Sequence, residues 1–92
     1  MVKSIMQEEK QCYFCGSTVS LEKHHIYMGA LRPKSERNGF FVWLCSFHHR
    51  DGKNGVHGNR ELDLQLKSEC QREYEKTHSR QEWMKLIKRN YL

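Results

Sequence analysis

Apolar residues are sparse along this chain, and the few runs they form define its elements. The one continuous apolar and β-prone stretch is Gly39-Phe40-Phe41-Val42-Trp43-Leu44, which predicts a buried strand delivering Cys45. Residues 21–27 read as a second, short strand ending in a loop at Gly29. Pro33 and the charged run Lys34-Ser35-Glu36-Arg37 read as an exposed part of that loop. From Ser46 a short helix is predicted, terminated by Gly52 and Gly55. Further on, Leu62, Leu66, Cys70 and Tyr74 recur every four residues, which predicts a helix over residues 60–76 with Asn59 as its N-cap. Ser79 followed by Glu82 forms a capping box that opens a last helix, with Trp83, Leu86 and Ile87 facing the core. His78, just before that cap, reads as a surface linker residue. Residues 1–10 are polar and carry no turn or strand signal, so a flexible tail is expected there.

Length then limits what these elements can build. A chain of 92 residues, 37% hydrophobic, supports one domain, expected over 11–92. Within it, 11–58 carries the chemistry-bearing residues and 59–92 is a helical extension. So small a core usually needs a staple, and a structural metal is the natural candidate. The formal charge of +5, with 16 Lys and Arg against 11 Asp and Glu, favours a polyanionic partner such as nucleic acid. A merely soluble basic surface accounts for that charge equally well. No stretch is apolar enough to span a membrane, and residues 1–11 include Glu8 and Glu9 with no apolar segment, unlike a signal peptide. A cytoplasmic protein with no membrane partner is expected, and in a reducing compartment its cysteines read as metal ligands rather than disulfides.

Their spacing agrees. Cys12 and Cys15 form a Cys-x2-Cys pair, and thirty residues beyond Cys15 come Cys45 and His48 at the same spacing. Each pair supplies two donors from one tight turn, and the intervening chain returns to complete a tetrahedral zinc shell. Gly16 after Cys15 tolerates the left-handed backbone that turns amides toward thiolate sulfur. Cys70 stands apart and is expected to pack as a small hydrophobe; its alternative, a fourth zinc thiolate, would need it to reach the knuckle, where His48 already has the right spacing. Four more histidines, His24 and His25 between the pairs and His49 and His57 after them, are surplus to that zinc.

The doublet His24-His25, the pairs around it and the doublet His48-His49 resemble the HNH, or ββα-metal, nuclease family in its zinc-stapled form. The resemblance covers Cys12 to about His57. It implies an α+β fold: a small zinc-stapled ββα-metal (His-Me finger) core, here followed by two C-terminal helices. In that family the first residue of the doublet ligates the catalytic metal and the second is the general base, which implies those roles for His24 and His25. The same alignment gives His48 to the zinc and His49 to the catalytic ion. His57, in Gly55-Val56-His57-Gly58, is implied as a third ligand, with a phosphate-binding or inert loop histidine as the alternative. The chain departs from the family at the middle letter, where Phe40 occupies the expected asparagine position. Asn38 is the nearest substitute; it reads equally as an Asn-Gly turn residue, and a backbone carbonyl could hold the base instead. His57 and the His24-His25 segment running to Gly29 are also similar to small phage-borne nucleases, including those that assist recombination, which implies a bacterial host cell.

Elementary geometry bears on the same assignment. Neighbouring residues on a strand point to opposite faces, so His24 and His25 suit two roles rather than one ion. His48 and His49 diverge by about 100 degrees on a helix, so they can serve two metals. The expected function is a metal-dependent DNA endonuclease that leaves a 5′-phosphate, with structural Zn2+ and a catalytic Mg2+, Mn2+ or Ni2+. Histidine donors suit Mn2+ and Ni2+ better than Mg2+. Arg32, Lys34, Arg37, Arg50 and Lys53 flank the site and are the expected phosphate contacts, or else a solvated rim. A zinc-knuckle nucleic-acid-binding module without hydrolysis is the alternative; it would leave His24, His25 and His57 idle.

Overall fold

A computed structural model describes residues 2–92. The two β-prone runs form strands β1 (Leu21–His25) and β2 (Phe41–Cys45) of one antiparallel sheet, in which Leu21 pairs with Cys45, His24 with Val42 and His25 with Phe41. Strand alternation gives the sheet two different faces. Glu22 and His24 share the inward face with the fully buried Val42 and Leu44, while Lys23 and His25 share the other with Phe41 and Trp43.

Between the strands lie one 3-10 turn (Gly29–Leu31) and helix α1 (Arg32–Asn38). The charged run read as an exposed loop is therefore helical. Pro33 suits a first helical turn, where its missing N–H has no partner to lose. Gly39, at φ +76°, ends the helix in the left-handed geometry and donates its amide to the Ser35 carbonyl. Ser35 is fully buried: its hydroxyl donates to the Tyr27 carbonyl at 2.7 Å and accepts from the Tyr27 amide at 3.1 Å. A helix docked through a serine leaves no apolar periodicity to read.

Helix α2 (Ser46–Arg50) follows β2 directly. It stops ahead of the glycines expected to terminate it, at an extended Asp51 whose carboxylate accepts the Lys53 and Asn54 amides. Gly55 has a different use, since a Cβ there would sit 2.5 Å from the Asp51 nitrogen. That close turn sends the chain back along α2, where the Val56 amide donates to the His48 carbonyl at 2.9 Å.

Helices α3 (Arg60–Tyr74) and α4 (Arg80–Ile87) complete the α+β fold, so that among the described residues four helices accompany the two-stranded sheet. Asn59 caps α3 by accepting from the Glu61 and Leu62 amides, and α3 ends two residues short of the expected boundary. Ser79 and Glu82 form the reciprocal capping box on α4. Leu66 and Cys70 from α3 and Trp83 and Ile87 from α4 meet Ile26, Tyr27, Phe40, Val42 and Leu44 in one core. His78 stacks flat on Tyr74 with centroids 4.0 Å apart, at the surface. No helix among the described residues is long and apolar enough to cross a membrane.

Residues 2–10, expected as a loose tail, lie along β2. Ile5 donates its amide to the Gly39 carbonyl, the Ser4 hydroxyl donates to the Phe41 carbonyl, and Gln7 Oε1 accepts the Trp43 amide at 2.6 Å. The segment answers edge groups of β2 that a third strand would otherwise pair. Polar side chains making these bonds carry no strand signature in sequence.

Candidate metal centre

Two groups of donors gather around α2. Cys12, Cys15, Cys45 and His48 form the first, their ligand atoms all within 4.8 Å of one another, an arrangement compatible with a structural metal site. Cys12 and Cys15 come from a knuckle closed by the Gly16 amide on the Cys12 carbonyl, with Gly16 at φ +77°. The Tyr13 amide anchors the knuckle on the Trp43 carbonyl, and β2 hands over Cys45 just before α2 presents His48. His48 Nδ1 lies 3.3 Å from Cys45 Sγ and 3.6 Å from Cys12 Sγ, and the Cys15 and Cys45 sulfurs are 3.9 Å apart. Burial alone would raise the Cys12 thiol, but the backbone amides of Cys45, Cys15 and Phe14 overcome it and hold the pKa at about 6. For Cys15 the Ser17 amide pulls downward, and desolvation with the crowding Cys12 and Cys45 sulfurs takes the net shift upward. Sulfurs crowded in this way repel as thiolates, a repulsion that a bound cation relieves. Cys70 is fully buried in the core and belongs to neither group.

The second group is His24, His49 and His57, whose ligand nitrogens also lie within 4.8 Å of one another. His24 reaches it from the inward face of β1 and His49 from α2. The loop closed by Gly55 brings His57 back until its Nε2 is 2.9 Å from His49 Nε2. His24 is 2% exposed, and its Nε2 has no hydrogen-bond partner among the described residues. Burial, with His49 and His57 beside it, depresses the His24 pKa to about 3. Burial and His49 also lower His57. These two rings are therefore neutral at ordinary pH, the state in which an imidazole nitrogen can bind a metal. A buried imidazole with an unpaired nitrogen, packed beside two other imidazoles, is a costly arrangement for a fold alone and fits a metal ligand.

Glu22 lies behind this group, absent from the sequence reading. Its carboxylate accepts from His49 Nδ1 at 2.7 Å and from Arg50 Nε at 2.8 Å, and those two partners hold it below the usual carboxylate range. With Nδ1–H donated to Glu22, His49 turns the Nε2 lone pair toward His24 and His57. The available signal was its position two residues before His24 on a strand, hence on the same face.

His25 points to the other side of β1, and its Nε2 lies 2.8 Å from Glu36 Oε1. Glu36 also escaped the sequence reading, because the contact depends on α1 being a helix. Both histidines of the doublet nevertheless line one cleft of about 230 Å³, together with Lys23, Met28, Arg32, His49, Arg50 and His57. A larger groove of about 470 Å³, between residues 2–10 and the Phe41–Trp43 face, has no histidine or cysteine in its wall, so the candidate chemistry sits in the smaller cleft.

The structure separates the remaining candidates. Asn38 does not reach His25: its amide donates to the Lys34 carbonyl at 2.8 Å, one helical turn back, and it lines a cavity with Ile5, Tyr74 and His78 instead. Lys34 is turned away from the cleft, its ammonium donating to the Leu86 carbonyl at 3.0 Å and tying α1 to α4. Arg32 and Arg50 are at the cleft, Arg50 engaged with Glu22, whereas Arg37 and Lys53 are exposed and outside its wall. No protein-family model, curated protein or solved structure matches this chain, so the reading of the site rests on its residues and their geometry.

Proposed function

We propose that the chain is a metal-dependent DNA endonuclease of the HNH, ββα-metal kind, hydrolysing a phosphodiester with His25 as general base. The observation that carries the reading is the convergence of His24, His49 and His57 on one point, in a cleft that also contains His25. The order β1, β2, α2 around that cleft, with a four-donor cluster beside it, supports the same family. Zn2+ suits the cluster. A tetrahedral shell with bonds of about 2.3 Å to sulfur and about 2.0–2.1 Å to nitrogen has sulfur–sulfur edges near 3.8 Å and sulfur–nitrogen edges near 3.6 Å, roughly. The separations of 3.9, 3.6 and 3.3 Å lie close to those edges.

A divalent cation held by His24, His49 and His57 would polarise a phosphate oxygen and stabilise charge on the leaving oxygen, with Mn2+ or Ni2+ suiting three imidazoles better than Mg2+. The chain's own groups do the rest. Arg32 and Arg50 offer positive charge to the phosphate at the cleft mouth. His25 takes the proton from the attacking water as its oxygen bonds to phosphorus; the 3′ oxygen departs in line, leaving a 5′-phosphate. The net charge of +5 favours a nucleic-acid strand as the substrate.

A plasmid-cleavage assay with added Mn2+, Ni2+ or Mg2+ tests this reading. His25→Ala should lose about 10²–10⁴-fold in rate, as expected for removal of a general base. It should keep its metal content and its DNA affinity. Wild-type protein that cuts no single-stranded, duplex or branched DNA with any of these ions would leave the zinc-knuckle binding module as the better reading.

A further inference from the structure

We propose that Glu36 is the positioning residue for His25, fixing the tautomer and orientation of the imidazole from helix α1. This inference rests on the nuclease reading, within which it supplies the orienting group that Asn38 does not provide. A neutral imidazole has one donor and one acceptor nitrogen, and the partner of one decides the state of the other. An ionised carboxylate only accepts, so Glu36 Oε1 at 2.8 Å requires the proton on His25 Nε2 and leaves the lone pair on Nδ1 for a water. Glu36 is ionised: His25 and then Lys23 hold its pKa below the usual carboxylate range.

Two further features separate this contact from an incidental surface pair. Lys23, two residues before His25 on the same face of β1, places its ammonium 3.3 Å from both oxygens of Glu36. The carboxylate is thereby held from the strand that carries the base. Its neighbour Ser35 is clamped to the backbone of Tyr27 by two hydrogen bonds, so α1 is fixed two residues beyond His25 in the chain. A positioning group on a rigid helix, braced against the strand it serves, meets the geometric requirement for holding a base in one rotamer. Stability is a poor explanation for the arrangement, because Glu36 is about half exposed and such exposed pairs contribute little to folding.

The experiment compares wild type, Glu36→Gln, Glu36→Asp and His25→Ala by histidine ¹⁵N NMR on the zinc-loaded protein without the second metal, and by cleavage kinetics with Mn2+. Wild-type His25 is expected to show one tautomer, with the proton on Nε2 where Glu36 accepts it. Glu36→Gln should show a mixture, because an amide can donate to Nε2 as well as accept from it. Its kcat should fall about 10–100-fold, the usual cost of losing such an orienting partner. KM, zinc content and the unfolding temperature should stay near wild type, and Glu36→Asp should recover part of kcat. A wild-type tautomer pattern in Glu36→Gln, or wild-type kcat in a series where His25→Ala is dead, overturns this inference alone. A wild-type protein that cuts nothing overturns the nuclease reading and this inference with it.

Discussion

Replacing His24 by leucine should stabilise the fold in the absence of the second metal and destabilise it, relative to wild type, in its presence. His24 is 2% exposed with an unpaired Nε2, and a buried polar group left unsatisfied costs about 1–3 kcal/mol. Leucine has nearly the volume of histidine, so repacking returns less than about 1.5 kcal/mol of that gain. A net stabilisation of about 1–2 kcal/mol corresponds to a rise in Tm of roughly 4–16 °C for a domain of this size. Metal reverses the order. An ion at a hundred times its dissociation constant stabilises the native state by about 2.7 kcal/mol, and the variant keeps only two of the three donors. Thermal unfolding followed by circular dichroism, on protein loaded with one equivalent of zinc and then titrated with Mn2+ or Ni2+, should show the two curves cross. A variant less stable than wild type without added metal would refute the argument that the imidazole is held at a cost, and a wild-type Tm indifferent to either ion would refute the site itself.

Acid should expose the same residue. The His24 pKa is lowered on folding from about 6.5 to about 3, so the unfolded chain takes up a proton that the native state refuses. Stability of the protein without the second metal is therefore full above about pH 6.5 and declines as pH falls toward 3, by a few kcal/mol; His24→Leu should have a flatter pH profile over that window in urea titrations. Cys12→Ala, or stripping zinc with a strong chelator, should unfold the knuckle and the sheet, since structural zinc supplies about 10–16 kcal/mol of apparent folding free energy in finger peptides; a folded, zinc-free protein by elemental analysis and NMR would sink the idea. Lys34→Met should lower Tm by several degrees, through loss of a charged hydrogen bond of about 1.5–3 kcal/mol, while leaving DNA affinity unchanged, whereas Arg32→Ala should weaken binding and reduce its salt dependence. Fluorescence anisotropy at two salt concentrations separates those outcomes.

Much of this molecule is legible along the chain because it is written in local chemistry. The apolar run from Phe40 to Leu44 has to be buried, and Asn59 and Ser79 satisfy orphan amides within three residues of themselves. Cys12 with Cys15 and Cys45 with His48 each present two donors from one short turn, so their spacing already carries the four-donor cluster. What tertiary structure decided depends on contacts between distant segments. Helix α1 has no apolar stripe and is held by Ser35 on Tyr27, so sequence patterning reads it as a loop. Once α1 is a helix, Glu36 meets His25, Lys34 is drawn to Leu86 instead of the cleft, and Asn38 closes on its own helix. Glu22 behind His49 and the return of His57 beside it likewise need β1, α2 and the Gly55 turn in place together. Metal donors announce themselves by residue type. The carboxylates beside these histidines do not, because Asp and Glu are common on every surface and only the assembled fold brings Glu22 against His49 and Glu36 against His25.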